Sequence, residues 1–231
     1  KVMELKKGDN DNFMNGLSET VSLTIGDYIF PLVKSSDLKT YEITETRKFV
    51  VVTQKKVRAD TSVIEIKDKK LWDYLVAHDT LLSSRKSKIY ENAPKYSIFG
   101  VGDYSFVKYK VGISGFYKEP VFSILYGDYP IMMDDTCYFL GFNNYLEAYI
   151  TSALLNSQEC ITFLKSIAFL ESKRPYTKDV LKRIDLLKIA ELTGYDAILE
   201  HNKKTGKNPV SYSQFKDYKL NLCKNNNITH R

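Results

Sequence analysis

The chain has 231 residues, 43% hydrophobic and 27% charged, which is enough for one large or two small domains with a sizeable core. No stretch is long and apolar enough for a membrane span, and no secretory leader opens the chain. Three widely spaced cysteines (Cys137, Cys160, Cys223) without a CxxC or Cys/His cluster argue against a disulfide scaffold or zinc site and for a reducing cytoplasm.

The net charge is +6, which permits a nucleic-acid partner without requiring one. Its distribution is more telling, because residues 85–118 carry seven Lys/Arg against two acids. The chain opens on Lys1, not Met, which suggests an excised piece of a longer protein.

Residues 1–20 are polar, and GDNDNFMNG (8–16) reads as a loop or hairpin end. VSLTIGDYIFPLV (21–33) predicts two short strands broken at Gly26-Asp27, followed by a turn or one helical turn over Lys34–Leu38. KFVVVT (48–53) is a β-branched run expected to be a buried strand, with Gln54, Lys55 and Lys56 emerging at its end. Leu71, Tyr74, Leu75, His78, Leu81 and Leu82 recur at helical spacing, which predicts a helix over 68–90. Its last cations, Arg85, Lys86 and Lys88, would face the negative end of the helix dipole.

YSIFGVGDYSFVKYKVGISGFYK (96–118) alternates apolar with small or polar residues and holds four glycines, so it predicts β-ribbon with tight turns. Lys108 and Lys110 would share one strand face and Tyr109 the other. Such a basic, tyrosine-bearing ribbon suits a phosphate backbone and its bases, although a lysine edge also guards a sheet against aggregation. Phe99, Phe106, Val111 and Ile113 are expected in the core.

Strands follow at 121–125 and 131–140, and helices at 145–156 and 158–170. Thr177 and Asp185 are expected N-caps, Gly194 a C-cap, KKTGKNP (203–209) a basic loop and 211–223 a last helix. The expected class is α+β. A β-rich domain with an inserted helix (1–140) precedes a helical region (141–231) whose tail from about 223 is disordered.

Several fragments mimic catalytic motifs. Phe99-Gly100-Val101-Gly102 resembles an FxGxG cofactor element, but strand-like sequence follows where a helix is needed. Asp60 with Glu65-Ile66-Lys67 resembles a nuclease metal site only faintly. Asp134-Asp135 would point to opposite strand faces, so a turn or capping role is favoured. His78 reads as a partly buried helix residue, and His201 and His230 lie in polar segments. No Ser or Cys has a nucleophile context. A binding module is favoured over an enzyme.

The ordered set DYIFPLVKSSDL (27–38), RKFVVVTQKK (47–56), LWDYLVAHDTLLSSRKSKIY (71–90), residues 96–118, DDTCYFL (134–140), LEAYITSALLNS (146–157) and KRPYTKDVLKRIDL (173–186) resembles the C-terminal target-recognition domain of adenine-specific Type II and IIG restriction-modification DNA methyltransferases. These domains are in turn similar to Type I specificity subunits. The resemblance implies an N-terminal methyltransferase domain holding S-adenosylmethionine and an Asn-Pro-Pro-Tyr motif. No such motif occurs here, so no catalytic residue, cofactor or metal is assigned to this chain, and a nuclease, fused or separate, stays open.

By the same resemblance the β-rich part reads double-stranded DNA and the C-terminal helices brace it. The expected DNA contacts are Lys34, Ser35 and Ser36; Gln54, Lys55 and Lys56; and Arg85, Lys86, Lys88, Tyr104, Lys108, Tyr109 and Lys110. Gln54 and Arg85 are candidates for base reading, and the lysines for phosphates. The alternative is a non-catalytic protein-interaction scaffold that docks a partner through its helical half.

Overall fold

The computed structural model describes residues 1–8 and 12–228, with side chains as far as Lys224. Residues 9–11, within the expected loop or hairpin end at 8–16, and His230 lie outside the described residues. Strands in chain order are β1 (Glu4–Lys7), β2 (Phe13–Asn15), β3 (Thr20–Val21), β4 (Ile29–Val33), β5 (Glu42–Ile43), β6 (Lys48–Val51), β7 (Tyr109–Ser114), β8 (Ser123–Leu125), β9 (Met132–Met133) and β10 (Cys137–Phe142). Helices are α1 (Ile64–Lys67), α2 (Lys69–Ala77), α3 (Asp79–Ser83), α4 (Tyr145–Leu155), α5 (Gln158–Ile167), α6 (Lys178–Leu181), α7 (Leu186–Thr193), α8 (Asp196–Thr205) and α9 (Tyr212–Ile228). The class is α+β with a helical C-terminal region. Among the described residues no helix is long and apolar enough to cross a membrane.

The chain forms two compact units that interleave in sequence. One comprises Lys1–Val33, Glu45–Val107 and Gly127–Met132, and the other Lys34–Thr44, Lys108–Tyr126 and Met133–Arg231. The β-rich segment 1–140 therefore contributes to both.

In the first unit the sheet runs β3-β2-β1-β6-β4-β9, and its β1–β2, β1–β6 and β4–β6 pairs are antiparallel. The unbroken apolar run of β6 has a simple cause: both faces of the sheet are covered. Phe49 and Val51 join Leu5, Phe13 and Ile29 in one cluster with Leu71, Leu75 and Leu82 of the helices. Val52 joins Phe30, Leu32, Val101 and Met132 on the other, against partly buried Phe106.

The helix expected over 68–90 is shorter and broken. Asp68 caps α2 by accepting from the Leu71 amide at 3.0 Å. At His78 the backbone leaves helical geometry (φ −105, ψ 15), and its ring nitrogens lie 2.8 Å from the Tyr74 carbonyl and 2.7 Å from Glu19. α3 then ends at Ser83. Arg85 folds back so that its Nε donates to the Leu82 carbonyl at 2.7 Å, and a cation does satisfy the helix end there.

The ribbon expected over 96–118 is strand only at Tyr109–Ser114. Residues 96–107 are turns with a short 3-10 helix at Asp103–Phe106. In the second unit β7 lies between β10 and β8, both antiparallel to it, and β5 pairs parallel with β8. α4 is buried from Ala148 to Leu155 and carries polar Thr151 and Ser152 inside. Just beyond it, buried Asn156 accepts from the Phe122 amide at 3.0 Å and donates to the Phe122 carbonyl at 2.8 Å, so one side chain replaces a strand neighbour.

Thr177 and Asp185 cap α6 and α7, and Gly194 ends α7 at φ +59. Residues 203–205 close α8 instead of opening a loop, and Gly206 (φ +69) is the left-handed cap that ends it. α9 runs on to Ile228, beyond the point where a disordered tail was expected, and 229–231 lie outside the described residues.

His201 is 1% exposed on α8, against the rings of Tyr41 and Tyr149 at 5.3 and 4.9 Å, with neither ring nitrogen hydrogen-bonded. Burial, with help from Lys204 and against Glu42, lowers its pKa to about 4. Above pH 6.5 the imidazole is neutral in both folded and unfolded chains. As pH falls from there toward 4 only the unfolded chain takes up the proton, so stability is lost across that window, by about 3 kcal/mol in full. Melting curves from pH 7 to 4 are expected to show this loss, and His201→Leu is expected to flatten it. Asn156→Leu leaves the Phe122 amide without its side-chain acceptor and the Phe122 carbonyl with Ser152 Oγ alone, and is expected to cost about 1–3 kcal/mol in urea unfolding.

Candidate nucleic-acid interface

The polar side chains nearest the 96–107 loop do not face solvent. They hold its backbone. Thr61 Oγ1 donates to the Lys95 carbonyl, and Thr53 Oγ1 to the Tyr96 carbonyl at 2.9 Å. Arg85 Nη1 donates to the Ser97 carbonyl at 2.7 Å. Gln54 Nε2 donates to the Ile98 carbonyl at 2.6 Å, while its Oε1 accepts from the Ile98 amide at 3.1 Å. Four successive carbonyls are thus each bound by a side chain from elsewhere in the sequence.

Within this clamp Tyr96 has φ +64, a left-handed conformation that costs a bulky residue on the order of 1–3 kcal/mol. Its ring packs edge-on to Trp72 at 5.5 Å, and Lys95 Nζ sits 5.1 Å from its centroid. Surrounding contacts over-determine the strained residue.

Gln54 and Arg85 therefore fill structural roles where base reading was expected. Gln54 is 5% exposed, and its amide is satisfied by Ile98. Arg85 stacks its guanidinium over Tyr90 at 3.9 Å while both its Nε and Nη1 bind carbonyls. The cations beside them are exposed: Lys55 and Lys56 after β6, and Lys86 and Lys88 after α3. Exposed Lys95 is paired with Asp79 at 3.0 Å, which raises its pKa.

Beyond the clamp the loop turns outward. Phe99, expected in the core, is 64% exposed, and Tyr104 is 56% exposed with its hydroxyl donating to the Gly100 carbonyl at 2.8 Å. The expectation failed because Phe99 sits at a turn before Gly100 (φ +76), where strand alternation no longer applies. Phe106 is partly buried, and Val111 and Ile113 are core as expected. The same loop helps line an open pocket of about 410 Å³ with Asp27, Phe30, Lys55, Asp103, Phe106 and Tyr129.

The remaining expected contacts belong to the second unit. Ser36 and Lys108 are exposed, and Lys108 Nζ lies 5.5 Å over the Tyr109 ring. Tyr109 is half-buried against Tyr126 and Tyr145, each at 5.8 Å. Ser35 is buried, its hydroxyl 2.6 Å from Thr136 Oγ1, and the backbone amide of half-buried Lys34 donates to Asp37 Oδ2 at 3.0 Å. Lys110 is 1% exposed, with its Nζ 5.5 Å from the Phe139 ring. Burial pushes its pKa down to about 8, so this lysine is enclosed where a phosphate contact was expected.

The catalytic mimics have plain structural uses. Phe99–Gly102 leads into a 3-10 turn with no strand before it, and the Asp60 carboxylate accepts from the Ser62 amide and hydroxyl at 2.9 and 2.7 Å. Asp134 caps a turn through Thr136 and lies against the Cys137 thiol, which burial pushes up to about 12. Among the described residues no group of three or more His, Cys, Asp or Glu is placed to hold a metal.

No protein-family model matches the chain. It is 42% identical over 193 residues to the Type II methyltransferase M.NspV of a Nostoc species, an alignment that covers 83% of this chain and 40% of that protein. The chain spans less than half the length of this relative. It is homologous to one portion of a Type II methyltransferase.

Proposed function

We propose that this chain is the DNA target-recognition portion of a site-specific, adenine-directed restriction-modification methyltransferase. On this reading, transfer from S-adenosylmethionine belongs to another part of the full-length protein. The observation that carries this reading is the 42% identity to part of a Type II methyltransferase. It is supported by a strained, side-chain-clamped loop flanked by exposed Lys55, Lys56, Lys86 and Lys88. An adenine inside a duplex must be extruded before its exocyclic amine can be methylated, and a module that grips the flanking duplex offsets that cost. Double-stranded DNA and the chain's own methyltransferase domain are the proposed partners, and the cytoplasm the proposed setting.

Phosphate contacts supply salt-dependent affinity without sequence preference, so the basic flank and the sequence-reading groups separate experimentally. A second reading, a protein-interaction scaffold, draws on the exposed Phe169 and Leu192 of the helical unit. Gel filtration with candidate proteins in the absence of DNA distinguishes it.

Titrating the chain with duplex DNA across a salt series is expected to give a falling log–log plot. Substituting Lys56, Lys86 and Lys88 together by Gln is expected to reduce its slope by up to about 3, whereas Lys110→Met leaves the slope unchanged. Binding that is absent at low salt, or indifferent to salt, refutes the reading. Gln54→Ala is expected to lower stability by about 1–3 kcal/mol by stranding the Ile98 backbone groups. Selection from random duplexes checks the complement: a contact that serves the fold leaves the preferred sequence the same.

A further inference from the structure

Phe99 is a large apolar side chain held in water by a loop that is locked on both sides. Before it, the carbonyls of Lys95 to Ile98 are fixed by Thr61, Thr53, Arg85 and Gln54. After it, Tyr104 closes the turn on Gly100, and its ring lies so close over Gly102 that a Cβ there would stand 2.8 Å from Cε1. These bonds fix the backbone from which the phenyl projects. Exposed Lys55 lies 5.8 Å over the Phe106 ring of the same loop, and Arg85, next to exposed Lys86, binds the Ser97 carbonyl, so cations stand toward both ends of the loop that carries the ring.

An exposed aromatic on a fixed loop with cations toward both ends matches an unstacked nucleobase, which offers a flat face beside phosphates. Pre-organisation keeps the entropic cost of stacking low. We propose that Phe99 is a wedge that stacks on a base at an opened step of the bound duplex, with Tyr104 as its fixed support. The inference rests on the DNA-binding reading above and adds where the duplex is distorted.

Duplexes enriched from a random pool by the chain itself, then carrying 2-aminopurine at each position in turn, provide the test. Wild-type protein is expected to raise 2-aminopurine emission several-fold at one step. Phe99→Ala is expected to abolish that rise and weaken binding about 10-fold while leaving the salt slope and melting temperature unchanged, and Phe99→Trp is expected to retain both signals. Equal affinity and equal emission in Phe99→Ala overturn the wedge alone. A wild-type chain that enriches no duplex overturns the DNA-binding reading and the wedge with it.

Discussion

The clamped loop depends on one arrangement: consecutive backbone carbonyls at 95–98 that accept hydrogen bonds from side chains of three other segments. A loop normally satisfies its peptide groups with water and moves accordingly. Here the end of β6, the turn before α1 and the end of α3 converge on it, so the sheet and the helix layer fix its path. A left-handed tyrosine persists in the middle because its neighbours leave it no cheaper alternative.

The second unit repeats the device on a smaller scale. Asn156 holds Phe122 by both backbone groups, and Ser152 Oγ donates to the same carbonyl at 2.9 Å. In both units polar residues that would be ordinary on a surface are buried in order to position main chain. Each is strongly constrained by what it binds, since removing it strands a buried donor or acceptor. Exposed lysines carry no such constraint. The two classes separate the framework from the exposed surface.

Much of the framework was legible because it follows periodicity and cap chemistry. The run at 48–53, the caps at Thr177, Asp185 and Gly194, and the helices at 145–155 and 158–167 depend on local rules. The site was read less well, for a specific reason. Gln54 and Arg85 have the donor groups of base readers, and nothing local in sequence records that partners 44 and 12 residues away already occupy them. Lys110 misled similarly, since a lysine in an alternating strand reads as a solvent-facing edge until Phe139 is found over it. Phe99 erred in the opposite direction, because alternation was carried through a glycine turn that ends it. The family resemblance, which rested on ordered segments and not on single residues, agrees with the methyltransferase relationship.

The way the polypeptide threads back and forth between its two compact units has a practical consequence. No single cut separates them, because 34–44, 108–126 and everything from 133 onward belong together while the intervening stretches build the other body. Grafting one contiguous piece onto a related enzyme would transplant fragments of both. Chimaeras meant to exchange the clamped loop must carry 53–61 and 82–107 as a set, since the anchors and what they anchor are written far apart.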